Sequence, residues 1–72
     1  MTTVRDSKQQ AVAKLRSLYP EASRVRVSKV TERLVFVRYR LDRLHALGLF
    51  VYQRDGGPKP VAKHRHLDGG AA

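Results

Sequence analysis

The sequence predicts a mainly α-helical domain closed by a small β-hairpin, and three observations carry that expectation. Leu34, Val37, Leu41, Leu44 and Gly48 recur at steps of three and four, so a helix here would have one apolar, closely packable face and a mostly cationic opposite face. After Leu47 the period changes: Gly48 ends a helix well, and Leu49, Phe50, Val51 and Tyr52 favour a strand. Asp55-Gly56-Gly57-Pro58 then supplies the positive φ and the fixed proline φ of a turn, after which Val61 onward can return as a second strand.

Taken in order, residues 1–6 are expected to be disordered, because only Met1 and Val4 offer apolar anchorage. A first helix starts at Asp6 or Ser7, either of which can cap it. It carries Ala11, Val12, Leu15, Leu18 and Tyr19 on one stripe, with Lys8, Gln9, Lys14 and Arg16 mostly turned away. Pro20 disfavours a helical Tyr19 and closes the element. Arg24-Val25-Arg26-Val27 alternates as a short half-buried strand does, and Ser28 offers an N-cap for a second helix to Leu34. One domain over residues 7–67 follows, with residues 68–72 a disordered tail.

A second reading competes in the middle of the chain. Val35, Val37, Tyr39 and Leu41 also share a face at period two, and the β-branched and aromatic content suits a strand. The chain would then run helix, strand, strand, short helix, strand, a small α+β fold with a three-stranded antiparallel sheet and a hairpin turn at Thr31-Glu32. Against it, Thr-Glu lacks the Gly or Asn that two-residue turns prefer, and Asp42 to Leu47 would be left as a helix of under two turns.

The run Leu41-x-x-Leu44-x-x-Leu47-Gly48-Leu49, followed by Asp55-Gly56 and a basic return to Leu67, resembles the recognition helix and wing of winged helix-turn-helix transcriptional regulators. The resemblance spans roughly half the chain. It implies a winged-helix domain that binds double-stranded DNA, with the recognition helix in the major groove and the hairpin wing on the flanking backbone. On such a helix Phe36, Tyr39, Arg43 and Ala46 point away from the core, with Arg40 beside them and Arg38 nearer the core edge. Arg40 and Arg43 would pair with guanine, the aromatics would touch a thymine methyl or a sugar, and Arg38 would reach a phosphate. Arg54, Lys59, Lys63 and Arg65 would be the wing's contacts to phosphate or minor groove. Regulators of this family usually dimerise through added helices; here a homodimer would have helix one or a wing edge to use.

Composition points the same way. Fifteen Lys plus Arg against six Asp plus Glu give a net charge of +9, so the expected partners are polyanions, nucleic acid before an acidic protein or an anionic membrane. Arginine outnumbers lysine ten to five, which suits bidentate contacts to phosphate or guanine. The chain has no cysteine, hence no disulfide framework or thiolate chemistry. No leader-like or membrane-spanning run is present, so a cytoplasmic protein is expected. Scattered carboxylates and the absence of a phosphate-binding loop predict no enzyme and no cofactor. His45, His64 and His66 lack the further ligands a metal site needs. Two other functions stay open: a basic module that binds a protein partner, as inhibitor or adaptor of a nucleic-acid machine, and an RNA binder in which Phe36, Phe50 and Tyr52 on a sheet act as stacking platforms.

Overall fold

The computed structural model describes residues 3–56 and 59–67. The chain runs through α1 (Val4–Leu18), β1 (Ser23–Val30), β2 (Leu34–Leu41), a 3-10 turn (Asp42–Leu44), β3 (Ala46–Gln53) and β4 (Val61–His66). The strands form one antiparallel sheet in the order β1-β2-β3-β4, and α1 packs against β1 and β2. This corrects the mainly α, winged-helix expectation: there is one α-helix among the described residues, and neither the helix from Ser28 nor the recognition helix from Leu34 forms. The order is closer to the second reading, extended from three strands to four.

Helix α1 starts at Val4 rather than at Asp6 or Ser7, because Thr3 is the cap: its Oγ1 accepts the Asp6 N–H at 3.1 Å. Ser7, Ala11 and Leu15 form its buried line, and it ends before Pro20 with the Tyr19 N–H on the Leu15 carbonyl at 2.7 Å. Met1, Thr2 and the tail 68–72, both expected to be disordered, lie outside the described residues, as do Gly57 and Pro58 of the predicted turn.

Two bulges explain why β1 looks like a strand followed by a helix start. Val27 pairs with Val37 and Val30 with Val35, although three residues separate the first two valines and only two separate their partners. The extra residue between Val27 and Lys29 breaks the period of two and returns Val30 to the core side. Ser28, instead of capping a helix, sits in this irregularity and donates its hydroxyl to the Phe36 carbonyl at 3.3 Å.

The β1–β2 turn closes without Gly or Asn because a side chain takes over. Thr31 Oγ1 accepts the Leu34 N–H at 2.9 Å, and the Thr31 N–H donates to the Leu34 carbonyl at 2.8 Å. Arg54, at the far end of β3, then clamps the turn. Its Nη1 donates to the Thr31 carbonyl at 2.9 Å while its Nε donates to the fully buried Ser7 hydroxyl at 2.9 Å.

With period two established, Val35, Val37, Tyr39 and Leu41 face the core together with Ala46 and Phe50, beneath Ala11 and Leu15. Leu44, which a recognition helix would have buried, is 51% exposed in the 3-10 turn. Leu41→Ala is therefore expected to cost roughly 2–5 kcal/mol, and Leu44→Ala within about 0.5 kcal/mol. Urea melts of the two variants separate the outcomes, and equal losses would contradict this inner face.

Candidate functional site

Helix α1 covers one side of the sheet, and no other element among the described residues packs on the opposite side. The pairing register fixes which residues line the open side. Ser23, Arg40, Leu47 and Arg65 form one row across the four strands; Arg26, Arg38, Leu49 and Lys63 form the next; Lys29, Phe36, Val51 and Val61 form a third. Six cations stand in these three rows. In the first two rows a leucine of β3 stands between a cation of β2 and a cation of β4, so an apolar rail runs between two basic margins.

The spacing follows from strand geometry. Arg38 and Arg40, like Lys63 and Arg65, are two residues apart along a strand, about 6.7 Å, while the two margins lie two strands apart, about 9.5 Å. The rail is accessible: Leu47 is 47% exposed and Val61 52%, and Phe36 is half-buried beside Lys29. Two shallow cavities open on the face. One, of ≈ 450 Å³, is lined by Arg24, Arg26, Arg38, Arg40, Val25, Tyr39 and Leu47. The other, of ≈ 490 Å³, lies over the β2–β3–β4 rows and is lined by Arg38, Leu47, Leu49, Lys63 and Arg65, among others.

A carboxylate stands at the edge of this basic surface. Asp42 Oδ1 lies 2.7 Å from Arg40 Nε, and Asp42 Oδ2 accepts the Ser23 hydroxyl at 2.9 Å. Because Arg40 and Asp42 are both partly exposed, solvent screens this pair.

On the covered side, Gly48 lies between Tyr39 and His64 in one cross-strand row. The Tyr39 ring crosses over Gly48 and its hydroxyl meets His64 Nε2 at 2.6 Å. Tyr19 stacks on Tyr39 with centroids 5.9 Å apart, and His64 meets both rings edge-on. Burial, reinforced by the neighbouring Tyr19, pushes the Tyr39 phenol up to about 12. The phenol thus stays protonated at neutral pH and can donate to an unprotonated Nε2. Since the folded value lies above the unfolded one of about 10, this contribution is intact below pH 10 and declines as pH climbs toward 12.

The sequence-predicted site residues divide accordingly. Phe36, Arg38, Arg40, Lys63 and Arg65 come together on the open face, through period two and strand pairing rather than along a helix. Tyr39, predicted to read bases, is 2% exposed in the core. Arg43 sits in the 3-10 turn, off the sheet face. Arg54, predicted as a wing contact, is engaged with Ser7 and the turn carbonyls, and Lys59 is exposed in the connection into β4. Of the aromatics considered as stacking platforms, Phe50 is fully buried and Tyr52 faces the core side, which leaves Phe36. Arg26 and Lys29, not singled out from sequence, belong to the face. The Arg24-Val25-Arg26-Val27 alternation contained that signal, since it places cations opposite the valines.

His45 adopts a left-handed conformation at the end of the 3-10 turn, and His66 Nδ1 lies 3.3 Å from the Leu44 carbonyl. Among the described residues no three His, Cys, Asp or Glu side chains converge as a metal site would require, and no helix is long and apolar enough to cross a membrane. No protein-family model, curated protein or solved structure matches this chain.

Proposed function

We propose that this protein binds single-stranded nucleic acid across the open face of its sheet. The observation that carries the reading is the gathering of Arg26, Lys29, Arg38, Arg40, Lys63 and Arg65 on one uncovered face, around an apolar rail that ends at Phe36. Cations two residues apart suit neighbouring phosphates of an extended strand, and a partly exposed phenyl ring at the end of the rail, beside Lys29, offers a base a stacking surface. The strands' axes alone span about 14 Å, wider than the roughly 12 Å major groove that admits a helix or a two-stranded ribbon. A flat four-stranded face therefore favours a single strand over an intact duplex.

Fluorescence anisotropy with a single strand of RNA or DNA and with a duplex of equal length tests this. The single strand should bind more tightly, and Phe36→Ala should weaken it roughly tenfold, the effect of losing one stacked base. Lys63→Ala should flatten the log–log salt dependence by about 0.7 without altering base preference. Equal or tighter duplex binding would refute the single-strand assignment, and failure to bind any polyanion at low salt would refute the reading altogether. In that last case the exposed aliphatic residues Leu47 and Val61 favour a protein partner with an acidic rim around an apolar centre.

A further inference from the structure

We infer that the corner of the open face framed by Arg24, Arg26, Arg38 and Arg40 is a phosphomonoester site, suited to the terminal phosphate of a nucleic-acid strand or to a free nucleotide. The strand form of this inference rests on the reading of the face given above.

Charge is the first reason. All four arginines line one cavity of ≈ 450 Å³. The Arg40 guanidinium is paired with Asp42, whereas the guanidinium groups of Arg24, Arg26 and Arg38 make no hydrogen bond or ion pair among the described residues. Three uncompensated guanidinium groups exceed what one internal phosphodiester, with a single negative charge, can neutralise. A phosphomonoester brings about −1.5 to −2 and three acceptor oxygens, which guanidinium forks engage in pairs.

Position is the second. The Ser23–Arg40 pair is the last of the β1–β2 ladder, and Asp42 follows just beyond it, with its carboxylate held by the Ser23 hydroxyl. A strand that continued past this corner would carry its next phosphate toward that carboxylate. A strand that ends here carries no further phosphate toward it and leads away over Leu47 and Leu49 toward Lys63 and Arg65.

Backbone conformation is the third. Arg24 and Val25 together oppose Tyr39, and Arg24, the first residue of this bulge, has φ 51°. Glycine is the residue this conformation favours, and a larger side chain there is strained. The backbone gains nothing from arginine at this position; the guanidinium at the cavity does. Strained residues of this kind concentrate at ligand sites.

The test compares one oligonucleotide with 5′-phosphate, 3′-phosphate and hydroxyl ends, alongside a nucleoside monophosphate as competitor. A phosphate at one end should tighten binding about tenfold or more, through two or more charge-assisted hydrogen bonds. Arg24→Gly should reduce that difference severalfold and weaken the hydroxyl-ended strand by no more than Lys29→Ala does, with a melting temperature equal to or above the parent's. Competition by the monophosphate that Arg24→Gly abolishes would support the site and assign it to free nucleotides as well. If hydroxyl-ended strands bind and neither end phosphate adds affinity, the corner site is overturned and the face reading stands. If the monophosphate binds in an Arg24-dependent way and no strand does, the site stands and the face reading is lost. Retention of the phosphate preference by Arg24→Gly would also overturn the site.

Discussion

Gly48→Val is expected to remove much of the protein's stability and to lower its melting temperature sharply. A Cβ on residue 48 would lie 2.7 Å from Tyr39 Cε1 and closer still to two other atoms of that ring. The ring cannot swing aside without cost. It is 2% exposed, stacked by Tyr19 and hydrogen-bonded to His64. Overpacking at such a site costs about 1–3 kcal/mol or more, and losing the buried hydroxyl's partner adds about 1–3 kcal/mol. A domain of this length holds only roughly 4–11 kcal/mol in total. Circular dichroism melts provide the readout, with a second variant as control: Tyr39→Ala added to Gly48→Val should recover part of the loss, since the obstruction is then gone. If Gly48→Val melts like the parent, the tyrosine does not cross the third strand.

Raising salt fourfold should weaken single-strand binding by up to roughly 300-fold, if all six face cations each neutralise one phosphate at a slope of about −0.7 per contact. A protein partner held mainly by the apolar rail would show a far shallower dependence. Titrations of the same labelled strand at 50 and 200 mM salt measure the slope directly. A change smaller than about sevenfold would mean that fewer than two contacts are made, and the face would not be a nucleic-acid surface in the sense proposed.

Much of the architecture could be read from residue patterns where a single period dominates. The Ala11, Leu15 stripe marked α1, and Leu49 to Tyr52 with the return from Val61 marked the last hairpin. The middle was ambiguous for a physical reason. Leu34, Val37 and Leu41 satisfy helical spacing, while Val35, Val37, Tyr39 and Leu41 satisfy strand spacing, and local pattern has no term for the partner strands that decide between them. Two devices hid the answer further: the bulge that interrupts the β1 alternation at Ser28, and the Thr31 hydroxyl that closes a turn lacking Gly or Asn. Gly48 was legible as a special position but for a different cause, since a glycine below a crossing ring and a glycine ending a helix look alike in one dimension. For the site, the cations could be picked out by type, yet only the strand register shows that Arg38 and Lys63 share a row and that Arg54 is occupied elsewhere.

The Arg54 clasp bears on the order in which the protein can be made. One guanidinium from the end of the third strand reaches both the start of the first helix and the first hairpin turn, and the Arg54 N–H adds a bond to the Arg33 carbonyl at 2.8 Å. In sequence order the helix and first hairpin both precede the residue that ties them together. Until then the Ser7 hydroxyl lacks this donor, and α1 has only its apolar line against the first two strands. Native closure of the amino-terminal half therefore draws on a residue three-quarters of the way along the chain, so the contact that fastens its first turn is supplied from well downstream.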